Sequence, residues 1–145
     1  MPDLTNILDQ VDEVMKKEKI VKLNDWLRKE GKGGKVVCTP GVYASKDYES
    51  ILNAVINFDN FNDSNDPHGE HDFGKVTINE TDYFFKIDYY DKRHSCMSED
   101  PSDQTKTNRV MTIMKASEYW WEYLINQQAN GKLLNYIIDE SGFVL

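Results

Sequence analysis

Apolar side chains recur at helical spacing along the first 30 residues. Between residues 4 and 27 they lie mostly three or four positions apart, the periodicity of a helix with one buried face. The pattern predicts either one long helix or two short helices. Asp3 or Thr5 can cap the start, and Gly31 is the first of three closely spaced glycines that end the helical pattern.

The following residues predict a short strand, a turn and a second helix. Residues 35–38, with the sequence KVVC, form the strand candidate. Residues 39–42, TPGV, predict a turn because proline fixes one φ angle and glycine allows the next to be positive. Apolar residues between 48 and 56 again share one helix face, and Ser45 can cap this helix.

Alternation with a period of two predicts strands in the centre of the chain. Residues 72–91 form an antiparallel hairpin in this interpretation, with a turn at residues 79–82. The second strand alternates strictly, and its apolar face is expected to carry Tyr83, Phe85, Ile87 and Tyr89. A third strand is expected at residues 108–115, after a polar loop.

The order of these elements predicts an α+β fold. Helices packed on the hairpin at 72–91 and the strand at 108–115 would give a mostly antiparallel sheet. The C-terminal part adds an amphipathic helix near residues 118–128 and a terminal hairpin within 133–145. Because 145 residues is the usual size of one domain and no linker composition is seen, residues 1–145 are expected to form a single domain.

Negative charge is concentrated in the middle of the chain. The formal net charge is −8; residues 59–103 hold 12 acidic and 4 basic residues, whereas 1–58 hold 9 of each and 104–145 hold 4 of each. An acidic surface repels phosphate groups, so we expect no direct nucleic-acid binding through this face. Such a surface suits a basic protein surface, a cation or simply water.

The sequence also carries expectations about the compartment. No run of about 18 apolar residues is present, so no membrane association is expected. The first ten residues lack the basic start and apolar stretch of a signal peptide. Cys38 and Cys96 are too few for a disulfide framework. Reduced thiols in a cytoplasmic protein are therefore expected.

The most distinctive local sequence is HGEHD at residues 68–72. Imidazole nitrogens and carboxylate oxygens are ligands that zinc, manganese and iron accept. The expected hairpin also brings the end of its second strand towards this loop. Three roles remain open: hydrogen bonds that hold the loop in shape, with no cofactor; a divalent transition metal site; or acid–base catalysis. The metal ligands would be His68, His71, Asp72 and Asp88; the catalytic groups would be His68, His71 and Asp88.

A binding surface in the same region would combine carboxylates with aromatic side chains. Tyrosine and tryptophan often anchor protein interfaces when they are exposed, although they more often pack in cores. The expected binding residues are Asp59, Asp63, Asp66, Glu70, Asp72, Tyr89 and Tyr90.

Several short sequences together resemble the bacterial domain-of-unknown-function family 3768. The most specific are NDPHGEHDFG at 65–74 and KIDYYD at 86–91, supported by RVMTIM at 109–114. The resemblance covers about residues 20–119, leaving 1–19 and 120–145 as extensions. It implies a small bacterial domain, often encoded near plasmid or phage genes, and it implies no activity.

Two hypotheses about function follow from these features. The first is a small acidic binding protein from a phage or other mobile element, which inhibits or modulates a host protein, such as a defence nuclease, by docking its acidic surface on a basic one. The alternative is a metal-assisted hydrolase or a histidine acid–base enzyme that uses the HGEHD loop. The absence of a complete catalytic set favours binding over catalysis.

Overall fold

A computed structural model of the chain describes residues 3–119. The expected helix at 118–128 and the terminal hairpin lie largely outside the described residues. The helices and strands, in chain order, are α1 (Leu4–Glu30), β1 (Lys35–Cys38), α2 (Pro40–Tyr43), α3 (Tyr48–Ile56), β2 (Phe73–Ile78), β3 (Thr81–Tyr90) and β4 (Asn108–Lys115). A single 3-10 turn, Ala116–Glu118, follows.

The first helix is continuous. Of the two alternatives that the sequence leaves open, the structure therefore has one helix of 27 residues, α1. The side chain of Asp3 caps it by accepting a hydrogen bond from the Thr5 amide. Gly31, with a φ of 67°, ends it in the left-handed conformation that glycine adopts without a Cβ clash.

The α+β class is confirmed, whereas the sheet is mixed. Its strand order is β1-β4-β3-β2. β2 pairs with β3, and β3 with β4, in antiparallel fashion, but β1 runs parallel to β4 with Lys35 opposite Val110. The parallel pair arises because the chain passes from β1 through two helices and the hairpin before it returns as β4.

Two local predictions need correction. Residues 39–42 do not form a simple turn, because Pro40 starts the short helix α2 after Thr39, as proline suits a first helical position. The side chain of Ser45 does not cap α3, which begins at Tyr48. Its hydroxyl oxygen accepts a hydrogen bond from the Asp47 amide instead.

The core lies between the helices and one face of the sheet. Leu27 of α1, Ile51 of α3 and Phe85 of β3 are fully buried there. The alternation predicted for β3 is confirmed, because Tyr83, Phe85, Ile87 and Tyr89 are buried while the residues between them are half-buried. Across residues 3–119, no helix combines the length and the apolar character needed to cross a membrane.

Candidate functional site

Two long loops meet at one end of the sheet. β2 begins, β3 ends and β4 begins at this end, so residues 57–72 and 91–107 lie next to each other there. The first loop carries five acidic and no basic residues, and the second carries four acidic and three basic residues. We call these two loops the acidic end. It holds nine of the 12 acidic residues that the central segment contributes.

Side-chain amides give the first loop a defined shape. The carbonyl oxygen of the Asn62 side chain accepts hydrogen bonds from the amides of Ser64 and Asn65 at 2.9 and 3.3 Å. Asn65 accepts one in return from the Asn62 amide and donates one to the Asn60 carbonyl. Such short-range bonds replace the backbone ladder that a loop lacks. The backbone that carries the exposed carboxylates of this loop is therefore held in shape.

Asp66 organises the HGEHD segment from within. Its carboxylate accepts hydrogen bonds from the amides of Glu70 at 2.8 Å and His71 at 3.2 Å, and its side chain is buried. Gly69 and His71 both have positive φ angles, which folds the segment sharply around this carboxylate. Asp66 therefore has a structural role.

Helix α1 fixes the position of this segment through Asn24. The side-chain amide of Asn24 donates to the Glu70 carbonyl at 3.0 Å and to the Tyr89 hydroxyl at 2.7 Å, while its oxygen accepts from Arg109 Nε at 2.6 Å. The Tyr89 hydroxyl in turn donates to the Glu70 carboxylate at 2.9 Å. One buried asparagine thus joins α1, the loop, β3 and β4.

His71 is tied to the same helix one residue further along. Its Nδ1 lies 3.0 Å from the Asp25 carboxylate, which also accepts a hydrogen bond from Arg28 at 2.8 Å. The imidazole stacks on the Phe61 ring with 3.9 Å between ring centres. Arg28 continues to the carbonyl of Phe58 at 2.9 Å, after the end of α3. His71 therefore sits in a packed arrangement, consistent with the structural role among the three left open.

The surroundings of Asp72 raise the pKa of its carboxyl group towards neutrality. Partial burial raises its pKa to about 6, and the nearby Glu70 and Asp66 carboxylates raise it further, while His68 acts in the opposite direction. His68 itself is exposed. Asp72 thus changes protonation close to neutral pH beside an exposed imidazole.

Asp88 does not join this cluster. Neighbouring residues of a strand project to opposite faces, and Tyr89 points into the core towards Glu70, so Asp88 lies on the other face of the sheet. There it forms an ion pair with Lys86 at 3.2 Å, and burial raises its pKa. The expectation that the strand end brings Asp88 to the histidine loop is corrected. Within residues 3–119, no three His, Cys, Asp or Glu side chains are arranged to hold a metal ion.

The expected binding residues divide into three groups by exposure. Asp59 and Asp63 are exposed, and no described residue forms an ion pair with either. Glu70, Asp72 and Tyr90 are half-buried, whereas Asp66 and Tyr89 are buried. Tyr89 is only 8% exposed, with its hydroxyl bonded inside the protein, so it is not available as a surface anchor.

The second loop also holds its carboxylates in fixed positions. Asp91 accepts hydrogen bonds from Ser95 and Cys96, which lowers its pKa to about 2. Asp100 accepts from Ser102, and Asp103 from Thr105, which lowers both pKa values. These three groups are charged at neutral pH.

Three residues of the site lacked a local signal in the sequence. Asn24 and Arg28 stand among apolar and charged residues of α1, and Arg109 lies near the start of the hydrophobic strand β4. All three are buried. The available signal was their position: residues 24 and 28 fall on the same helix face as Leu27, where a polar side chain must find partners inside the protein.

The comparisons with known proteins give one match. The model of a family described as "Protein of unknown function (DUF3768)" matches residues 38–118. Neither the comparison with curated proteins nor that with solved structures found a match.

Proposed function

The chain belongs to the DUF3768 family, whose description assigns no activity, and from its own geometry we propose that it is a binding protein that docks the acidic end on a basic protein surface. Protein surfaces that bind nucleic acid are basic, and such a surface would complement the acidic end. A nucleic-acid-handling protein, such as a host defence nuclease met by a mobile element, is therefore the class of partner that fits best.

The observation that carries this proposal is the pre-arranged exposed charge. Asp59 and Asp63 project from a loop that its own asparagine side chains hold in shape. A fixed charged surface loses little conformational freedom on binding, which favours affinity. The surplus of negative charge on that surface speeds the encounter with a positively charged partner.

The contact surface differs from the one expected from sequence. Asp66 and Tyr89 are left out because both are buried. Asp59 and Asp63 remain at its centre, whereas the exposed Glu99 of the second loop is paired with Lys106 at 3.2 Å. Tyr90 is half-buried and lies on the second face of the sheet.

The test compares two charge reversals of equal size. Asp59→Lys with Asp63→Lys changes the acidic end, and Glu49→Lys with Glu80→Lys makes the same change at the opposite end, where Asn79 bonds Asp47. Wild type and both variants are immobilised and exposed to a lysine- and arginine-rich peptide and to a bacterial lysate. The peptide and specific lysate proteins should bind wild type and the control, but not the acidic-end variant.

The same capture experiment is repeated at increasing salt concentrations. The Debye length over which charges interact falls to about 3 Å at 1 M ionic strength. Capture should therefore fall steeply as the salt concentration rises from 0.05 to 0.5 M. Equal capture by all three proteins, or capture that salt leaves unchanged, would refute docking through the acidic end. All side chains changed are exposed, so thermal melting should be similar in each protein.

A second candidate function rests on Asp72 and His68. A carboxyl that titrates near pH 6 next to an exposed imidazole is suited to acid–base catalysis. Screening on model carboxylic and phosphate esters would test it. Hydrolysis that disappears in both His68→Ala and Asp72→Asn, but persists in His94→Ala, would support catalysis. Hydrolysis that survives both site variants, or no hydrolysis of any ester in the panel, would leave binding as the better account.

A further inference from the structure

The contacts of His71 leave one of its two ring nitrogens without a partner. Its Nδ1 lies 3.0 Å from Asp25 Oδ1 and its ring stacks on Phe61, but no described residue bonds its Nε2. In the described part of the chain, the buried side-chain nitrogen and oxygen atoms that lack a partner are Arg28 Nε and Asp88 Oδ2. His71 Nε2 is not among them, so it reaches solvent, and the side chain as a whole is 30% exposed.

Asp25 fixes both the orientation and the tautomer of this imidazole. Its Oδ1 also accepts a hydrogen bond from Arg28 at 2.8 Å, so two groups hold the carboxylate in position. Because a carboxylate accepts hydrogen bonds and donates none, the proton between Asp25 and the neutral ring belongs to Nδ1. Nε2 then carries the free lone pair. A histidine that a carboxylate orients in this way is suited to act as a general base.

The backbone at His71 is held in a conformation that carries a steric cost. Its φ angle is 58°, and its amide donates a hydrogen bond to the Asp66 carboxylate at 3.2 Å. Glycine would adopt this φ angle without the cost, whereas other residues held there occur preferentially at functional sites. The strain is an observation independent of the bond to Asp25, and it also indicates a role for the imidazole.

A cavity of about 650 Å³ lies between α1 and the HGEHD segment. Its described lining consists of Gly69, two residues before His71, and residues of α1 between positions 10 and 22. Val21 in that lining precedes Asp25 by about one helical turn, or roughly 6 Å along the axis. A cavity of this volume accommodates a small organic molecule. The charged side chains of the lining are two acids and two bases: Glu13, Glu18, Lys17 and Lys22.

From this geometry we propose that His71 is the catalytic base for hydrolysis of uncharged carboxylic esters, and that Asp25 is its positioning residue. Nε2 takes a proton from water while the water oxygen attacks the ester carbonyl carbon. The imidazolium, which Asp25 stabilises, then returns that proton to the leaving alkoxide as the C–O bond breaks. The products are a carboxylic acid and an alcohol.

The charges around His71 set the class of substrate. The cavity lining carries no net charge, so it suits an uncharged molecule. Glu70 and Asp72 flank His71 along the chain, and their carboxylates repel anions such as phosphate esters. Neither the docking of the acidic end nor the pairing of His68 with Asp72 is needed for this reaction.

Hydrolysis of p-nitrophenyl butyrate by the full chain tests the proposal, with p-nitrophenyl phosphate as the anionic comparison. His71→Gly removes the base and suits the positive φ angle. His94→Gly is the matched control, because His94 has a φ of 55° and its ring has no described hydrogen bond. Wild type and the control should hydrolyse the butyrate ester and leave the phosphate ester intact. In His71→Gly, kcat/KM should fall about a hundredfold, and added imidazole should restore part of the activity.

Asp25→Asn tests the positioning role. The amide oxygen can still accept from Arg28, but an amide does not stabilise the imidazolium, so kcat should fall about tenfold or more with KM within about twofold. Asp9→Asn, on the exposed part of α1, should change neither constant. An unchanged kcat in Asp25→Asn overturns the role of Asp25.

Three outcomes overturn the catalytic role of His71. These are no butyrate hydrolysis above the buffer rate, a rate that His71→Gly leaves unchanged, and hydrolysis that needs His68 and Asp72 but survives in His71→Gly. The last outcome would assign catalysis to the His68 and Asp72 pair instead. Phosphate-ester hydrolysis at a comparable rate would overturn the class of substrate. Because the capture experiment measures docking separately, either result can fail without the other.

Discussion

At the scale of single residues, the site depends on buried polar groups that satisfy each other. Asn24 has three partners from three elements. Arg109, which is 1% exposed, also donates to the Gln104 side chain and the Pro101 carbonyl. A buried polar group costs little when bonded and much when its partner is lost. The shape of the histidine loop is therefore coupled to the stability of the whole protein.

Replacement of Asn24 by alanine should reveal this coupling. The change leaves the buried Arg109 Nε without its acceptor and removes the hydrogen bond that the Tyr89 hydroxyl accepts, although that hydroxyl still donates to Glu70. We expect the free energy of unfolding to fall by about 2–4 kcal/mol, measured by urea denaturation. The exposed Asn60→Ala is the control and should change stability by less than about 0.5 kcal/mol. Equal stability of the two variants would show that Asn24 does not act as a junction.

Asp72 should give the protein a pH-dependent stability. Its folded-state pKa of about 6 lies above the ordinary value of 3.8, so the folded state binds the proton more tightly than the unfolded chain. Stability contributed by this group is full below pH 3.8, is lost as pH rises to about 6, and stays reduced above that. The charged form of Asp72 is thus unfavourable in the folded protein at neutral pH.

Asp72→Asn removes that unfavourable charge. At pH 7.5 the melting temperature should rise by roughly 2–4 °C, a modest gain because the group is only half-buried and water screens it. At pH 3.5 the variant and wild type should melt together. The exposed Asp63→Asn serves as the comparison and should match wild type at both pH values. A rise of equal size at both pH values would rule out titration of Asp72 as its cause.

At the scale of elements, periodicity was the information that the sequence supplied well. The strict alternation from Tyr83 to Tyr89 identified β3 and its buried face, and the glycine at 31 marked the end of α1. The parallel pairing of β1 with β4 was not predicted, because four residues with no alternation cannot indicate which neighbour they will join. Asp88 is a different case, because the alternation of β3 already places its side chain on the face opposite Tyr89 and therefore away from the histidine loop.

A substitution in the hairpin turn between β2 and β3 should increase the stability of the protein. Asn79 and Glu80 both have positive φ angles, as a two-residue turn of this twist requires. Asparagine tolerates that conformation, but glutamate pays a steric penalty of about 1 kcal/mol. Glu80→Gly should relieve it and raise the free energy of unfolding by about 0.5 kcal/mol after the greater freedom of glycine in the unfolded chain is subtracted.

A helical position offers the matched comparison for this change. Glu49→Gly in α3 should lower the free energy of unfolding by about 1 kcal/mol, because glycine is unfavourable inside a helix. Opposite signs in denaturant titrations of the two variants would confirm that backbone conformation is responsible. If both variants lose stability, the turn carries no strain of this kind.

At the scale of the whole molecule, the family match and the folded unit have different boundaries. The match begins at residue 38, the last residue of β1, and leaves out all of α1. Yet Leu27 is fully buried in the core, and Arg28 binds the carbonyl groups at the end of α3. The sequence resemblance, which began near residue 20, lay closer to the anchored half of the helix. The C-terminal half of α1 is thus part of the fold, while its N-terminal half is an extension with its own exposed surface.

Two truncations separate these halves. A chain that lacks residues 1–15 should keep the melting temperature of wild type within a few degrees, because every described residue removed is exposed. A chain that lacks residues 1–31 loses Asn24, Leu27 and Arg28 and should show no cooperative melting. Circular dichroism with heating measures both. Cooperative melting of the shorter chain at the wild-type temperature would mean that α1 docks on a sheet and α3 that are already stable without it.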